Sequence, residues 1–248
     1  MKNILITLAY NGKNYHGWQI QENALAVQEV FQQALYTILP DKPSIKGCSR
    51  TDTGVHAREF CVSLKTQSDV DEYRLMGSLN ACLPFDIAVT ACREVPMDFH
   101  ARYSCVSKEY EYLIFNKPYR NPFYEGLALH YRRPLDVSLL NRAAGYFVGA
   151  HDFKAFCSAH SDKEDTVRQV YHAFVEARED LVVFRVSANG FLYNMVRIMV
   201  GTLLKVNEGR IDADRIPYII ESKERNLAGQ TAPAHGLYLN KVLYSQTT

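Results

Sequence analysis

The sequence predicts an α+β fold in two halves, residues 1–105 and 106–248. Three observations carry this expectation. Short apolar runs of period two are interspersed with amphipathic stretches of helical period. Successive strand-like runs are joined by short connections, which favours antiparallel neighbours. Both halves contain the same kinds of element, although no sequence repeat relates them.

The elements follow in order. Ile4, Ile6 and Leu8 alternate with other residues, and the run ends at Asn11-Gly12, a strand and turn. From Ala26 to Leu39, Val27, Val30, Phe31, Ala34, Leu35 and Ile38 share one helical face, and Pro40 stops the helix. "EFCVSLKT" is strand-like, and a helical pattern runs from Asp71 to Cys82, with Pro84 beyond it. "IAVTACREV" and "EYEYLIFN" are strands. In the second half "LLNRAAGYFVG" reads as a helix ending near Gly149. "VYHAFVEARED" and "LVVFRVSANG" form a hairpin turning at Glu179 and Asp180. A long helix is expected from Phe191 to about Val206, a short one near Ile216, and "GLYLNKVLYS" as a closing strand.

Composition narrows the function classes. The 248 residues are 47% hydrophobic, enough for a substantial core. Twenty-eight basic residues nearly cancel 27 acidic ones, leaving a formal charge of +1. A polyanionic partner must therefore meet a local patch rather than a uniformly basic surface. The six cysteines are scattered, without metal-ligand spacing, so neither a disulfide framework nor a metal site is expected. No secretory leader and no stretch long enough to span a membrane is read, and a reduced cytoplasmic setting follows.

Three clusters invite a chemical reading. "CSRTDTGVHA" (residues 48–57) places Arg50 two positions before Asp52, with Gly54 and His56 after it. An Asp before Gly is a common turn former, and loops are also where functional groups concentrate, so both readings stand. Arg197 lies within "FLYNMVRIMVGTLLKV", a helix apolar around nearly its whole circumference. A guanidinium there requires a carboxylate or phosphate partner, unless it runs out through a gap near Gly201. In "SKEYEYLIF", alternation puts Tyr110 and Tyr112 on one strand face and Glu109 and Glu111 on the other. Around that strand lie "FHARYSCVSK", with His100, Arg102 and Lys108, and "KPYRNPFYEGLALHYRRP", a dense mixture of basic and aromatic residues suited to phosphates and bases.

The landmarks "YHGWQIQ", "SRTDTGVHA", "LNACLPFDIAV", "FHARYS" with "KEYEYLIFN", "HDFKAF", "NGFLYNMVRIMVGTLL" and "APAHGLYLNKVLY" occur in one order along nearly the full chain. In this combination the chain resembles the TruA-type tRNA pseudouridine synthases. The resemblance implies a pseudouridine synthase fold: two ferredoxin-like or RRM-like halves sharing a mixed, mostly antiparallel sheet with a central cleft. It also implies conversion of uridine to pseudouridine at positions 38, 39 and 40 of the tRNA anticodon arm, by a homodimer that needs no metal or cofactor.

Asp52 matches the family's catalytic aspartate, Arg197 the arginine that pairs with it, and Tyr110 the tyrosine that contacts the flipped base. Arg50 matches the loop arginine that helps displace the base. His56 and Arg102, in the same motifs, are expected among the substrate-binding residues. The chain departs from the family pattern at Ser49 (usually Gly), Thr53 (commonly Ala), and Glu59 and Phe60 (usually Gly-Gln). None of these removes a group the chemistry needs. Two rival classes are an inactive RNA-binding module, which predicts loss of Asp52, Tyr110 or Arg197, and a glycosidic-bond hydrolase, which needs a second carboxylate beside Asp52.

Overall fold

A computed structural model describes residues 1–158 and 165–245. In chain order the elements are β1 (Lys2–Tyr10), α1 (Val27–Ile38), β2 (Ile45–Gly47), β3 (His56–Thr66), α2 (Glu72–Cys82), β4 (Ile87–Val95), β5 (Cys105–Phe115), β6 (Leu129–His130), α3 (Val137–Gly145), β7 (Gly149–Asp152), β8 (Val167–Arg178), β9 (Leu181–Ala188), α4 (Met195–Asn207), α5 (Ile216–Ser222) and β10 (Leu237–Tyr244). Two compact units form: Met1–Val106 with Tyr238–Thr248, and Ser107–Leu237.

In the first unit β1 is flanked antiparallel by β3 and β4, with Ile6 opposite Val62 on one side and Cys92 on the other. The edge of β3 away from β1 takes β2 antiparallel, Gly47 against Val62, and further along β10 in parallel, Tyr238 against His56. The alternation read at Ile4, Ile6 and Leu8 is borne out, since all three are fully buried. Helix α1 buries Val27, Phe31, Ala34 and Leu35. Shielding Phe31 and Leu35 from water contributes about 2 kcal/mol each. Asp71 caps α2 by accepting the Arg74 N–H at 2.8 Å.

In the second unit β5, β9, β8 and β7 pair antiparallel in that order, and β6 adds to β5 in parallel. The hairpin turns at Glu179 and Asp180, with Glu179 in the left-handed region (φ 55°). The two faces of β5 separate as alternation requires. Glu109 meets His172 at 3.0 Å, and Glu111 meets Arg185 at 2.6 Å and Arg178 at 3.5 Å.

Two helix boundaries differ from the sequence expectation. Helix α3 ends at Gly145 rather than near Gly149, because Gly149 (φ 122°) already opens β7. Helix α4 begins at Met195 rather than Phe191, because Asn194 adopts a left-handed backbone (φ 61°) that no helical turn can continue through.

Candidate active site

The Asp52 loop joins β2 to β3, and its backbone is tied at several points. At its base Cys48 N–H donates to the Cys61 carbonyl at 2.8 Å, and Cys61 N–H donates back to Cys48 Sγ at 3.4 Å. In its middle Thr51 is buried, its hydroxyl 2.9 Å from the Tyr10 hydroxyl, and its carbonyl accepts from Trp18 N–H at 3.3 Å. At its end Gly54 (φ 77°) donates to the Tyr15 carbonyl at 3.2 Å, and Val55 N–H closes the turn on the Asp52 carbonyl at 3.1 Å.

The wall behind this loop is the segment 12–18, where the sequence showed a turn at Asn11-Gly12 and the start of the landmark "YHGWQIQ" but assigned neither a structural part. Its glycines permit the contact. A Cβ on Gly17 (φ 80°) would overlap the Thr51 carbonyl oxygen, and one on Gly12 would overlap that of Val55. Trp18, buried, stacks on Phe60 at 4.1 Å and anchors the segment. Gly12 and Gly17, both shortly before Trp18, were the available signal. The outcome is a half-buried Asp52 on a fixed backbone, with exposed Arg50 two positions before it.

The other expected residues of this unit have distinct surroundings. His56 is 1% exposed. Its Nδ1 accepts the Gly12 N–H at 3.0 Å, which leaves the proton on Nε2, and its ring stacks on Tyr238 at 4.5 Å. Arg102 is exposed on a turn held by Ala101 N–H to Ser63 Oγ (3.0 Å) and by the Tyr244 hydroxyl to the Ala101 carbonyl (2.8 Å). Its guanidinium lies 5.8 Å from the Tyr103 ring, which His100 also approaches at 4.4 Å. Burial, with the Lys46 and Arg102 charges adding to it, lowers the His100 pKa, so that imidazole is neutral at pH 7. Glu59, the nearest carboxylate in sequence to the Asp52 loop, is exposed on β3.

The second unit carries Tyr110 and Arg197. Tyr110 is 6% exposed, lies opposite Val186 of β9, and meets Phe191 edge to face at 5.0 Å. Its neighbour on that face, Tyr112, donates its hydroxyl to the Pro233 carbonyl at 2.8 Å. Burial raises the Tyr112 pKa, against the opposing pull of the Arg197 charge.

Arg197 lies in the first turn of α4, half-buried rather than fully enclosed as its apolar neighbours suggest. Its Nε donates to the Ala232 carbonyl at 2.7 Å and its Nη1 to Asn194 Oδ1 at 2.8 Å. Ala232 N–H returns a bond to the Arg197 carbonyl at 3.1 Å. Asn194 is itself held by Ser158 Oγ at 2.9 Å. Both partners escaped sequence reasoning: Asn194 was read as helix interior, and Ala232 is distant along the chain. The gap beside Gly201 is not an exit. The Gln230 backbone fills it, and a Cβ on Gly201 would overlap the Gln230 carbonyl oxygen.

Among the described residues no group of three or more His, Cys, Asp or Glu is arranged to hold a metal ion, and no helix is long and apolar enough to cross a membrane.

A family model described as tRNA pseudouridine synthase matches residues 6–104 and 143–245, so the Asp52 loop and Arg197 fall inside the match and Tyr110 between its two stretches. The chain is 44% identical to the tRNA pseudouridine synthase A of Thermoanaerobacter sp. (strain X514), over 98% of this chain and 100% of that protein. It is 45% identical to the protein of the same name from Ruminiclostridium cellulolyticum and 44% identical to that from Acetivibrio thermocellus, each again over 98% of this chain and 100% of the relative. With a polar loop fixed around a half-buried aspartate and a match of this extent, the chain belongs to the tRNA pseudouridine synthase family.

Proposed function

We propose that Asp52 is the nucleophile with which this enzyme isomerises uridine to pseudouridine in tRNA, and that its targets are positions 38, 39 and 40 of the anticodon arm. The reaction breaks the bond from ribose C1′ to uracil N1, turns the base, and joins C1′ to C5. The C5 proton leaves and N1 gains one, so the product is an isomer and no redox partner is consumed. The target nucleotide must first leave its stack, a step to which an exposed arginine such as Arg50 contributes.

Arg197 serves as the cation that keeps the Asp52 carboxylate ionised through the reaction. Tyr110 contacts the extruded base and assists removal of the C5 proton. Arg102 binds phosphate. His56 is too enclosed to reach RNA, so its part in substrate binding is indirect: it positions the loop through Gly12. A homodimer in the cytoplasm completes the reading. The hydrolase alternative lacks support, since Glu59 faces solvent.

The observation that carries the proposal is the half-buried carboxylate on a loop fixed at several backbone points, the preorganisation a nucleophile needs. Asp52→Asn keeps the shape and removes the charge. Pseudouridine formation on tRNA transcripts is expected to vanish, while tRNA affinity and melting temperature stay near wild type. Substantial turnover by the purified variant would falsify the assignment.

A further inference from the structure

The chemistry proposed for Asp52, Tyr110 and Arg197 makes no use of residues 116–133, the basic and aromatic stretch that follows β5. Four cations, Lys117, Arg120, Arg132 and Arg133, stand there against one carboxylate, Glu125. Tyr119 is 61% exposed and Phe123 86%. Leaving a phenylalanine ring in water forgoes the gain its burial would bring, so its presentation on a structured segment needs a reason.

The segment is structured. Asn121 Oδ1 accepts the Phe123 N–H at 3.0 Å, and its carbonyl accepts the Tyr124 N–H at 3.1 Å. The buried Phe115 ring anchors Tyr124 at 5.1 Å and the edge of Tyr119 at 6.2 Å. Asn116 Nδ2 ties the far end by donating to the Tyr131 and Arg133 carbonyls, both at 2.7 Å. Pro118 and Pro122 restrict the backbone on either side of Tyr119. The two exposed rings thus sit on a backbone already fixed, so engaging a ligand costs little ordering entropy.

The cations around them are open to exchange. Arg120 and Arg132 make no ion pair among the described residues. Lys117 with Asp180 (2.9 Å) and Arg133 with Glu208 (3.8 Å) are surface pairs, readily given up for a phosphate.

We infer that residues 116–133 form a second RNA-contact surface, on which unpaired bases of the tRNA stack against Phe123 and Tyr119 while Arg120 and Arg132 hold the flanking phosphates. Exposed aromatic rings bracketed by unpaired cations are how single-stranded RNA is bound without sequence readout. A second copy of this chain is the less suitable occupant, because a two-fold contact through this patch would bring like charges together.

The inference rests on tRNA being the substrate, and the test separates the two. Affinity for a full-length tRNA transcript, KM and kcat are measured for wild type, for the double variant Tyr119→Ala/Phe123→Ala, for Arg120→Ala/Arg132→Ala, and for Phe123→Trp. Stacking loss predicts an affinity about 10- to 100-fold weaker for the aromatic double variant, with KM raised in parallel and kcat at saturating tRNA retained. The arginine variant should weaken binding and flatten its salt dependence, and Phe123→Trp should bind as wild type does. Thermal melts and sedimentation accompany each protein. Equal affinity and KM in properly folded variants, beside a wild type that binds and modifies tRNA, overturns this inference alone. A change in oligomeric state without a change in tRNA affinity also overturns it, by making the patch a protein contact. A wild type that binds no tRNA overturns both readings.

Discussion

Tyr110 and Tyr112 sit two positions apart on one face of β5, and strand alternation reveals that much from sequence. It does not reveal what each side chain packs against or bonds to. The Tyr112 hydroxyl donates to the Pro233 carbonyl, a partner 121 positions away in the chain, while the Tyr110 ring packs against Phe191. Removing each hydroxyl should therefore have separable effects. Tyr112→Phe removes the hydroxyl that donates to the Pro233 carbonyl and should cost about 1 kcal/mol of stability with little effect on turnover per folded molecule. Tyr110→Phe should leave tRNA binding nearly unchanged and lower turnover by roughly 100-fold or more, the scale of lost proton-transfer assistance. Chemical denaturation and single-turnover kinetics on the two variants decide it. Unchanged turnover in Tyr110→Phe would confine that residue to contact with the base.

At the scale of elements, most helices and strands were legible because their periodicity is local. What stayed hidden depends on contacts made across the chain. Three-residue β2 and two-residue β6 are too short for any pattern to register. Helix α4 shows the same limit. Its apolar residues announced a buried helix, but nothing local announced that residues 228–232 would cross it at Gly201. There Gly229 N–H donates to Thr202 Oγ1 at 2.8 Å, and Ala232 brackets the Arg197 backbone and side chain. Two glycine substitutions separate helix propensity from packing. Within α2, a Cβ on Gly77 meets nothing within 4 Å, so Gly77→Ala should stabilise by about 0.5–1 kcal/mol. The same propensity gain applies to Gly201→Ala, but its Cβ would overlap the rigid Gln230 backbone. Overpacking of that kind costs about 1–3 kcal/mol or more, so the sign reverses. Shifting the crossing segment also moves the Ala232 carbonyl from Arg197, so activity per folded molecule should fall as well. Denaturant midpoints of opposite sign for the two variants are the expected result, and a stabilised, fully active Gly201→Ala would show that the crossing does not constrain Arg197.

For the molecule as a whole, sequence order alone placed the last strand in the second half. The contacts group it with the first unit, because β10 pairs in parallel with β3. Parallel pairing of strands so distant in sequence leaves no local trace. Charge was read from composition, and it constrains function at this scale. With 28 basic against 27 acidic residues, the molecule has no overall field to draw in a polyanion. Binding of tRNA must come from local groups, with the exposed Arg50, Arg102, Arg120 and Arg132 among those assigned to it. If those four neutralise about four phosphates, counterion release at ~0.7–0.9 per phosphate gives a log–log slope of association constant against salt near −3. Affinity should then fall by more than tenfold between about 50 and 200 mM salt, although the net charge is nearly zero. Replacing any one of the four by Ala should make the slope less steep by about one contact, which titrations at four or five salt concentrations resolve. An affinity indifferent to salt would mean that shape and stacking carry the complex, and that none of these arginines touches a phosphate.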